Sequence, residues 1–393
     1  MSYREKRAGM NTSQIANGRT QNRTTIAQGP ERRGQRLTSN TVYLLPLLFF
    51  ILCALLSAAC FPVAADAKVK GRCKDCHDMH SGKPFPALTK DGCIGCHGIN
   101  PDGDQSIITL GKTRIPQVIH HLDDGALAAG NFFFVADAFT PNYGRGHNVQ
   151  GISRVEDPPM DIPPGFIGNV RIPGGTGPNL WPQGQQLTCA GTWGCHGDRN
   201  IEDPFKAIAG AHHEDDRILD GSTVGKSYRF LFGITGKEHK DWEYLATIDN
   251  HNGYRGDIDH RATDTISYLC GECHAKFHPN PFLGGAGDVG SAYDVPWVRH
   301  PGDIALSAGH SPFAGSEYQN FIRYSLEVPV GYDKPTGGEV FVDMNSIVIC
   351  LSCHRAHASP YQDSLRWDYN EMISRSGTQG TGCLTCHSRK GGH

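Results

Sequence analysis

The sequence has little of the hydrophobic periodicity that marks regular secondary structure. Its 393 residues include 48 glycines and 24 prolines, scattered along the chain rather than gathered in linkers. No clean internal repeat is present, and no Ser- or Pro-rich linker divides the chain. Because long stretches without periodicity argue against an ordinary compact domain, neither a large sheet nor a helix bundle is expected.

No cysteine is left over for disulfides. Twelve of the 14 cysteines fall in six short motifs, and the other two, Cys53 and Cys60, lie in an apolar N-terminal segment. Five motifs read Cys-x-x-Cys-His, and the sixth has five residues between its cysteines. The six are Cys73–His77, Cys93–His97, Cys189–His196, Cys270–His274, Cys350–His354 and Cys383–His387. Zinc ribbons use Cys-x-x-Cys pairs and secreted domains use disulfides, but neither needs a histidine after every second cysteine.

Cys-x-x-Cys-His is the attachment sequence of c-type haem. Both thiols add to the haem vinyl groups, and the adjacent histidine binds the iron. The sequence therefore predicts six covalently attached c-type haems. The predicted thioether residues are Cys73, Cys76, Cys93, Cys96, Cys189, Cys195, Cys270, Cys273, Cys350, Cys353, Cys383 and Cys386. The predicted proximal iron ligands are His77, His97, His196, His274, His354 and His387. In the stretched motif, Gly191 and Gly194 are expected to let the longer loop bulge.

The predicted fold is a mostly irregular coil with few short helices and strands, wrapped around a chain of stacked haems that supply the missing core. Short helices are expected just after the haem motifs. A further helix is predicted over Asp363–Ser374, where apolar side chains fall loosely on one side. Short strands are predicted over Phe230–Ile234 and Glu339–Val342.

The N-terminus has the pattern of an export signal behind a basic leader. An almost wholly apolar run, Val42–Ala59, precedes small residues that offer cleavage after Ala65 or Ala67. We therefore expect residues 1–65 to be a removed leader and residues 66–393 to be one haem-threaded unit, exported to the cell exterior or outer surface, with the periplasm as the alternative. An uncleaved membrane anchor is the other interpretation of the apolar run.

The charge balance is acidic. Removing residues 1–65 takes away eight of 37 Lys and Arg but only two of 40 Asp and Glu, so the net charge falls from −3 to −9. An acidic chain does not bind nucleic acid by counterion release.

The second axial position of each iron decides what a haem can do, because an open position invites catalysis and a second strong ligand restricts the haem to electron transfer. Fourteen histidines lie outside the motifs, against four methionines after residue 65, so bis-histidine ligation is expected. The candidates for the six distal places are His80, His120, His121, His147, His212, His213, His300, His310 and His357.

Two candidate distal histidines lie so close in sequence to a motif histidine that the choice of haem for them is restricted. His80 and His357 each follow a motif histidine by three residues, too short a tether to reach the opposite face of the same haem. If they are ligands, they serve other haems, in this chain or in a neighbouring molecule. The pairs His120–His121 and His212–His213 could each serve one haem or two haems packed together.

Several separated segments resemble the OmcS-type hexahaem cytochromes, secreted proteins that polymerise into extracellular nanowires in metal-reducing bacteria. The segments are C-K-D-C-H-D-M-H at 73–80, G-H-N-V at 146–149, C-G-E-C-H-A-K-F-H at 270–278, V-R-H-P at 298–301, C-L-S-C-H-R-A-H-A-S at 350–359 and C-L-T-C-H at 383–387. The stretched motif departs from the family, whose third site is ordinarily Cys-x-x-Cys-His.

The resemblance implies a head-to-tail filament of identical subunits, in which His80 binds the iron of the haem on His354 in the neighbour. It also implies long-range electron transfer to partners such as other cytochromes or extracellular metal oxide, without an enzymatic reaction. A soluble periplasmic electron carrier is the alternative. A multihaem reductase with an open iron is a third hypothesis, although no Cys-x-x-Cys-Lys motif is present.

Overall fold

The computed structural model describes residues 68–80, 88–90, 92–98, 106–121, 127–154, 162–166, 181–182, 184–215, 217–278, 300, 302–306, 323–373 and 380–387. All of them belong to one compact unit, Ala64–His393. The predicted leader and the candidate ligand His310 lie outside the described residues. None of the helices in this described part is long and apolar enough to cross a membrane.

The helices of the described residues are very short, and five of these six contain motif cysteines. They are α1 Cys73–Cys76, α2 Cys93–His97, α3 Pro204–Ala207, α4 Ile266–Gly271, α5 Cys350–Cys353 and α6 Cys383–Cys386. The sequence places helices just after the motifs, whereas the structure places them on the motifs. The reason is geometric: cysteines three apart share one face of a helical turn, so a single turn presents both thiols to one group.

Seven 3-10 turns provide most of the remaining helical structure of the described chain. They are Phe132–Phe134, Tyr143–Arg145, Ala211–His213, Tyr228–Phe230, Ala275–Phe277, Gln362–Ser364 and Tyr369–Glu371. The helix predicted over Asp363–Ser374 is wrong within the described residues, because two separate 3-10 turns occupy it. Asp363 has a φ of 57°, which no continuing α-helix adopts.

The strands are two to four residues long. They are β1 Ile107–Leu110, β2 Thr113–Pro116, β3 Thr188–Ala190, β4 Gly194–His196, β5 Gly236–Lys237, β6 Gly253–Arg255, β7 Ile304–Ala305, β8 Gly331–Tyr332 and β9 Ile347–Val348. The pairs β1–β2 and β3–β4 form an antiparallel hairpin and a parallel ladder. The other strands form one mixed sheet in the order β5-β6-β8-β9-β7.

The two predicted strands are not formed. Phe230–Ile234 holds the end of a 3-10 turn and the loop after it, and Glu339–Val342 contributes only an isolated bridge between Phe341 and Arg323. Mostly irregular chain is nevertheless the architecture observed, as predicted.

The stretched motif folds as a ladder instead of a helical turn. Cys189 lies on β3, and Cys195 and His196 lie on β4. Gly191 has a φ of 85°, and a side chain there would meet Ile201 O at 2.7 Å. A side chain at Gly194 would meet Thr188 O at 2.5 Å. Both glycines therefore permit the bulge, as the sequence predicts.

Apolar packing is divided among three small clusters rather than one core. One lies around Ile234 and Ile347, one around Phe132 and Val135, and one around Val330 and Trp367. Motif cysteines pack against the second and third clusters, so the attachment sites lie where apolar surface is available.

Candidate haem site

One interior cavity of about 2490 Å³ connects the six motifs. Every motif histidine and eleven of the twelve motif cysteines line it, together with five candidate distal histidines: His147, His212, His213, His300 and His357. A cavity for one drug-sized ligand measures about 300–1,000 Å³. The space is therefore suited to several large flat groups, and its walls carry the residues that attach haem.

None of the twelve motif cysteines, all within the described residues, is in a disulfide. Each thiol is therefore chemically available for a thioether bond.

Four motif histidines are oriented by a backbone carbonyl. Nδ1 of His97 lies 2.9 Å from Pro116 O, and Nδ1 of His196 lies 2.9 Å from Arg229 O. The same contact is made by His274 to Pro164 O at 2.7 Å and by His354 to Asp363 O at 2.8 Å. Metal-binding histidines commonly donate their second ring N–H in this way, which leaves Nε2 as the ligand atom.

Five motif histidines each lie opposite one histidine from outside the motifs. The ring centroids are 6.2 Å apart for His77 and His213, 6.3 Å for His97 and His212, 6.1 Å for His274 and His147, 6.4 Å for His196 and His357, and 6.1 Å for His387 and His300. A metal–nitrogen bond of about 2 Å on each side, plus about 1 Å from each nitrogen to its ring centre, gives about 6 Å. The rings are therefore spaced to hold one iron between each pair.

Burial favours the neutral form of several of these rings. It lowers the pKa of His212 and His274 to about 4 and that of His357 to about 3. It also lowers the pKa of His97 and His196, while the hydrogen bond at Nδ1 opposes the shift. The neutral imidazole is the form that binds a metal.

The sixth motif histidine, His354, differs from the others. Its ring is exposed, and no histidine of the described chain lies opposite it at a comparable distance. His80 is also exposed, and Met79 beside it is 74% exposed. Within the described residues, His354 is thus the motif histidine that lacks an opposing histidine ring, and the candidate ligand His80 is exposed as well.

Two candidates from the sequence lie elsewhere. His120 is fully buried, with its two ring nitrogens 3.2 Å from Ser106 Oγ and from Asn131 Nδ2. His121 is exposed and contacts the rings of Phe133 and Phe139. The structure brings neither of them opposite a motif histidine in the part of the chain it describes.

Contacts between motifs show that the sites follow one another in chain order. The first site adjoins the second, because two consecutive residues face them. His213 lies opposite His77, and His212 lies opposite His97. The thiols of Cys93 and Cys189 share a hydrogen bond, which lowers the pKa of Cys93 to about 7 and raises that of Cys189. The second site therefore adjoins the third.

The later sites continue this order. A second thiol pair, Cys270 and Cys350, joins the fourth and fifth motifs. The fifth and sixth meet where Cys353, Cys383 and Cys386 pack against the same apolar cluster.

A buried ion pair that sequence reasoning missed joins the third site to the fourth. Arg199 Nε lies 2.6 Å from Glu272 Oε2, and Nη2 lies 3.1 Å from Oε1. Arg199 follows His196 by three residues, and Glu272 lies inside the fourth motif. Their positions beside the motifs are the signal that could have drawn attention to them, but no spacing rule pairs them.

Comparison with known proteins supports haem attachment in the C-terminal part. The family model for a doubled CXXCH motif matches residues 344–392, which contain the last two motifs. No curated protein gives a significant match.

Two solved structures match the fold, and both are filaments. The outer membrane cytochrome S filament from Geobacter sulfurreducens is 16% identical, with a TM-score of 0.33 over 77% of this chain and 85% of that chain. The OmcS nanowires from Geobacter sulfurreducens are 18% identical, with a TM-score of 0.35 over 76% and 84%. The superpositions are loose, so they fix the position of no individual residue here.

Proposed function

We propose that this chain is a multihaem c-type cytochrome that carries electrons along six bis-histidine haems as the repeating subunit of an extracellular filament. The five histidine pairs at 6.1–6.4 Å are the observation that carries the proposal. When bound, haem supplies a one-electron iron couple, and two strong axial ligands restrict that couple to electron transfer.

The distal ligands in this proposal follow from the pairs. His213 serves the haem on His77, His212 that on His97, and His357 that on His196. His147 serves the haem on His274, and His300 that on His387. The adjoining sites then form one path in chain order, from the first motif to the sixth.

The filament part of the proposal rests on His354, which has no opposing histidine ring among the described residues. Its iron receives His80 from a neighbouring subunit, because both residues are exposed and the tether excludes His80 from its own haem. A contact of this head-to-tail kind does not close on itself and so generates an open filament. The two matched structures are a filament and nanowires.

The test compares His80→Ala with His121→Ala, a matched change of a second exposed histidine. Both proteins should carry six haems by intact mass. His80→Ala should give discrete particles in cryo-electron microscopy and one high-spin haem, whereas His121→Ala should form filaments with low-spin haems only. Unchanged filaments from His80→Ala would show that the joint is made another way. A third variant, His310→Ala, tests whether the second axial ligand of the haem on His354 comes from the same chain.

A further inference from the structure

His239 is a buried histidine with one nitrogen unused. It is 2% exposed and lines the interior cavity. Its Nε2 is buried and has no hydrogen-bond partner among the described residues. A buried polar atom without a hydrogen-bond partner is destabilising, so a group that satisfies Nε2 is expected in the cavity.

The surrounding backbone selects the tautomer of His239. Its Nδ1 accepts hydrogen bonds from the backbone N–H of Asp241 at 3.2 Å and of Glu243 at 3.1 Å. Nδ1 therefore carries no proton, and in the neutral ring the proton lies on Nε2. The atom without a partner is a donor, which distinguishes His239 from His97, His147, His196, His274 and His354. Nδ1 of each of these lies within hydrogen-bond distance of a backbone carbonyl, which leaves a lone pair on Nε2.

The acidic side chains nearest in sequence are already engaged. Glu238 pairs with Lys68 at 2.8 Å and with Arg229 at 3.5 Å. Asp241 pairs with Arg114, and Glu243 accepts from the backbone N–H of Asn252 at 2.7 Å. The acceptor for Nε2 must therefore come from outside these residues.

Arg229 and Phe230 place His239 on the wall of the second and third haem sites. Arg229 donates to His239 O at 2.7 Å, and its own carbonyl accepts from Nδ1 of His196. The ring of Phe230 lies 4.9 Å from that of His212. A haem held by His196, or by His97 and His212, would therefore share this cavity wall with His239, and its propionates are the acceptors that it carries.

We propose that His239 donates a hydrogen bond from Nε2 to a propionate carboxylate of the haem on His196 or His97, and so raises the reduction potential of that haem. This inference rests on the proposed haem occupancy of the cavity. Donation draws negative charge away from the iron, and because reduction adds an electron, it favours the ferrous state.

The test uses the six-haem protein with His239→Phe, which fills similar space without a donor, and His239→Gln, whose amide N–H can donate. In a spectroelectrochemical titration, His239→Phe should lower the reduction equilibrium constant of one haem threefold to tenfold. Tenfold corresponds to 59 mV for one electron. His239→Gln should recover part of the shift, and the propionate bending bands of the resonance Raman spectrum should change in His239→Phe.

His251→Phe is the matched control. His251 is equally buried, stacks on Tyr324 at 3.7 Å, and has carbonyl partners at both nitrogens. The His251→Phe variant should leave all haem reduction potentials unchanged. Six low-spin haems with unchanged potentials in His239→Phe would overturn the inference and leave the proposed function intact. Fewer than six haems, or high-spin iron, in the unsubstituted protein would contradict the proposed function itself.

Discussion

At the scale of single residues, the hydrogen bond at Nδ1 determines whether Nε2 of a histidine presents a lone pair or an N–H. The rings of His147 and His274 illustrate this. Each directs Nδ1 to a backbone carbonyl at 2.7 Å, from Ala356 and Pro164 respectively. Both therefore present an Nε2 lone pair to the space between them. His239 has the opposite arrangement and presents an N–H.

Replacing one distal histidine should open one iron without releasing its haem. In His147→Ala the thioether bonds at Cys270 and Cys273 and the proximal ligand His274 remain. We expect six haems by intact mass and one high-spin haem in the absorption and EPR spectra, restored to low spin by added imidazole. His121→Ala, an exposed histidine outside the cavity, is the control and should change neither spectrum. Six low-spin haems in His147→Ala would contradict this ligand assignment.

The sequence predicts attachment residues because covalent chemistry requires fixed spacing, but distal ligands obey no such rule. The three-residue tether argues against His357 as a ligand of its own haem, yet only the fold brings its ring to that of His196, 161 positions earlier in the chain. His120 and His212 look alike in sequence, each beginning a His-His pair. The difference is that Asn131 and Ser106 satisfy His120 in a polar cluster, which no local pattern shows.

At the scale of elements, attachment overrides intrinsic preference. Helical turns form where two thiols must face one group, as in Cys350–Cys353. The segment after Gln362, whose apolar spacing predicts a helix, breaks at Asp363 and Ser364, both with positive φ. Asp363 uses its carbonyl to orient His354, so placing a proximal ligand takes precedence over helical periodicity.

Replacing Gly191 in the bulge of the stretched motif should destabilise the protein more than the positive φ of Gly191 alone explains. Gly191 and Gly233 share a φ of 85°, but a side chain at Gly233 would meet nothing within 4 Å. Gly233→Ala should lower the free energy of unfolding by about 1–2 kcal/mol, the cost of a left-handed residue. Gly191→Ala should add about 1–3 kcal/mol for steric crowding against Ile201 O. Denaturant titration followed by circular dichroism measures both, and equal losses would show that the loop relaxes.

The buried pair of Arg199 and Glu272 should stabilise the junction between the third and fourth sites. Removing the cation in Arg199→Ala leaves a buried carboxylate, which should cost about 3–5 kcal/mol at pH 7. Arg154→Ala breaks an ion pair whose arginine is 77% exposed and should cost about 0–1 kcal/mol. Denaturant titration of both variants checks the difference.

The pH dependence of Arg199→Ala has a defined sign. Burial raises the pKa of Glu272 above 4.5, and Arg199 opposes the increase. A raised pKa means that stability is fully present below the ordinary carboxyl pKa and is lost as pH rises through the folded value. Without Arg199 that loss should grow, so Arg199→Ala should be less destabilised at pH 5 than at pH 7. An equal loss at both pH values would show that Glu272 does not titrate in this range.

At the scale of the whole molecule, three small apolar clusters and strands of two to four residues accompany a cavity of about 2490 Å³. Attached haems would therefore form the greater part of the interior. In the proposed filament, the contact between subunits also depends on haem, because the haem on His354 takes its second ligand from His80 of the next subunit. The joint then has the properties of a metal–ligand bond, which an apolar interface lacks.

Such a joint should break when its ligand is protonated or replaced. Acid removes the lone pair that His80 needs to bind iron, and free imidazole competes for the same position. The five intrachain pairs resist both agents better, because their rings are fixed on the cavity wall and burial keeps those such as His212 and His357 neutral. Moderate imidazole should therefore shorten filaments in electron micrographs while six low-spin haems remain, and an equal concentration of sodium chloride should not. Filaments held by surface charge would respond to the salt, and filaments held only by apolar contact would respond to neither agent.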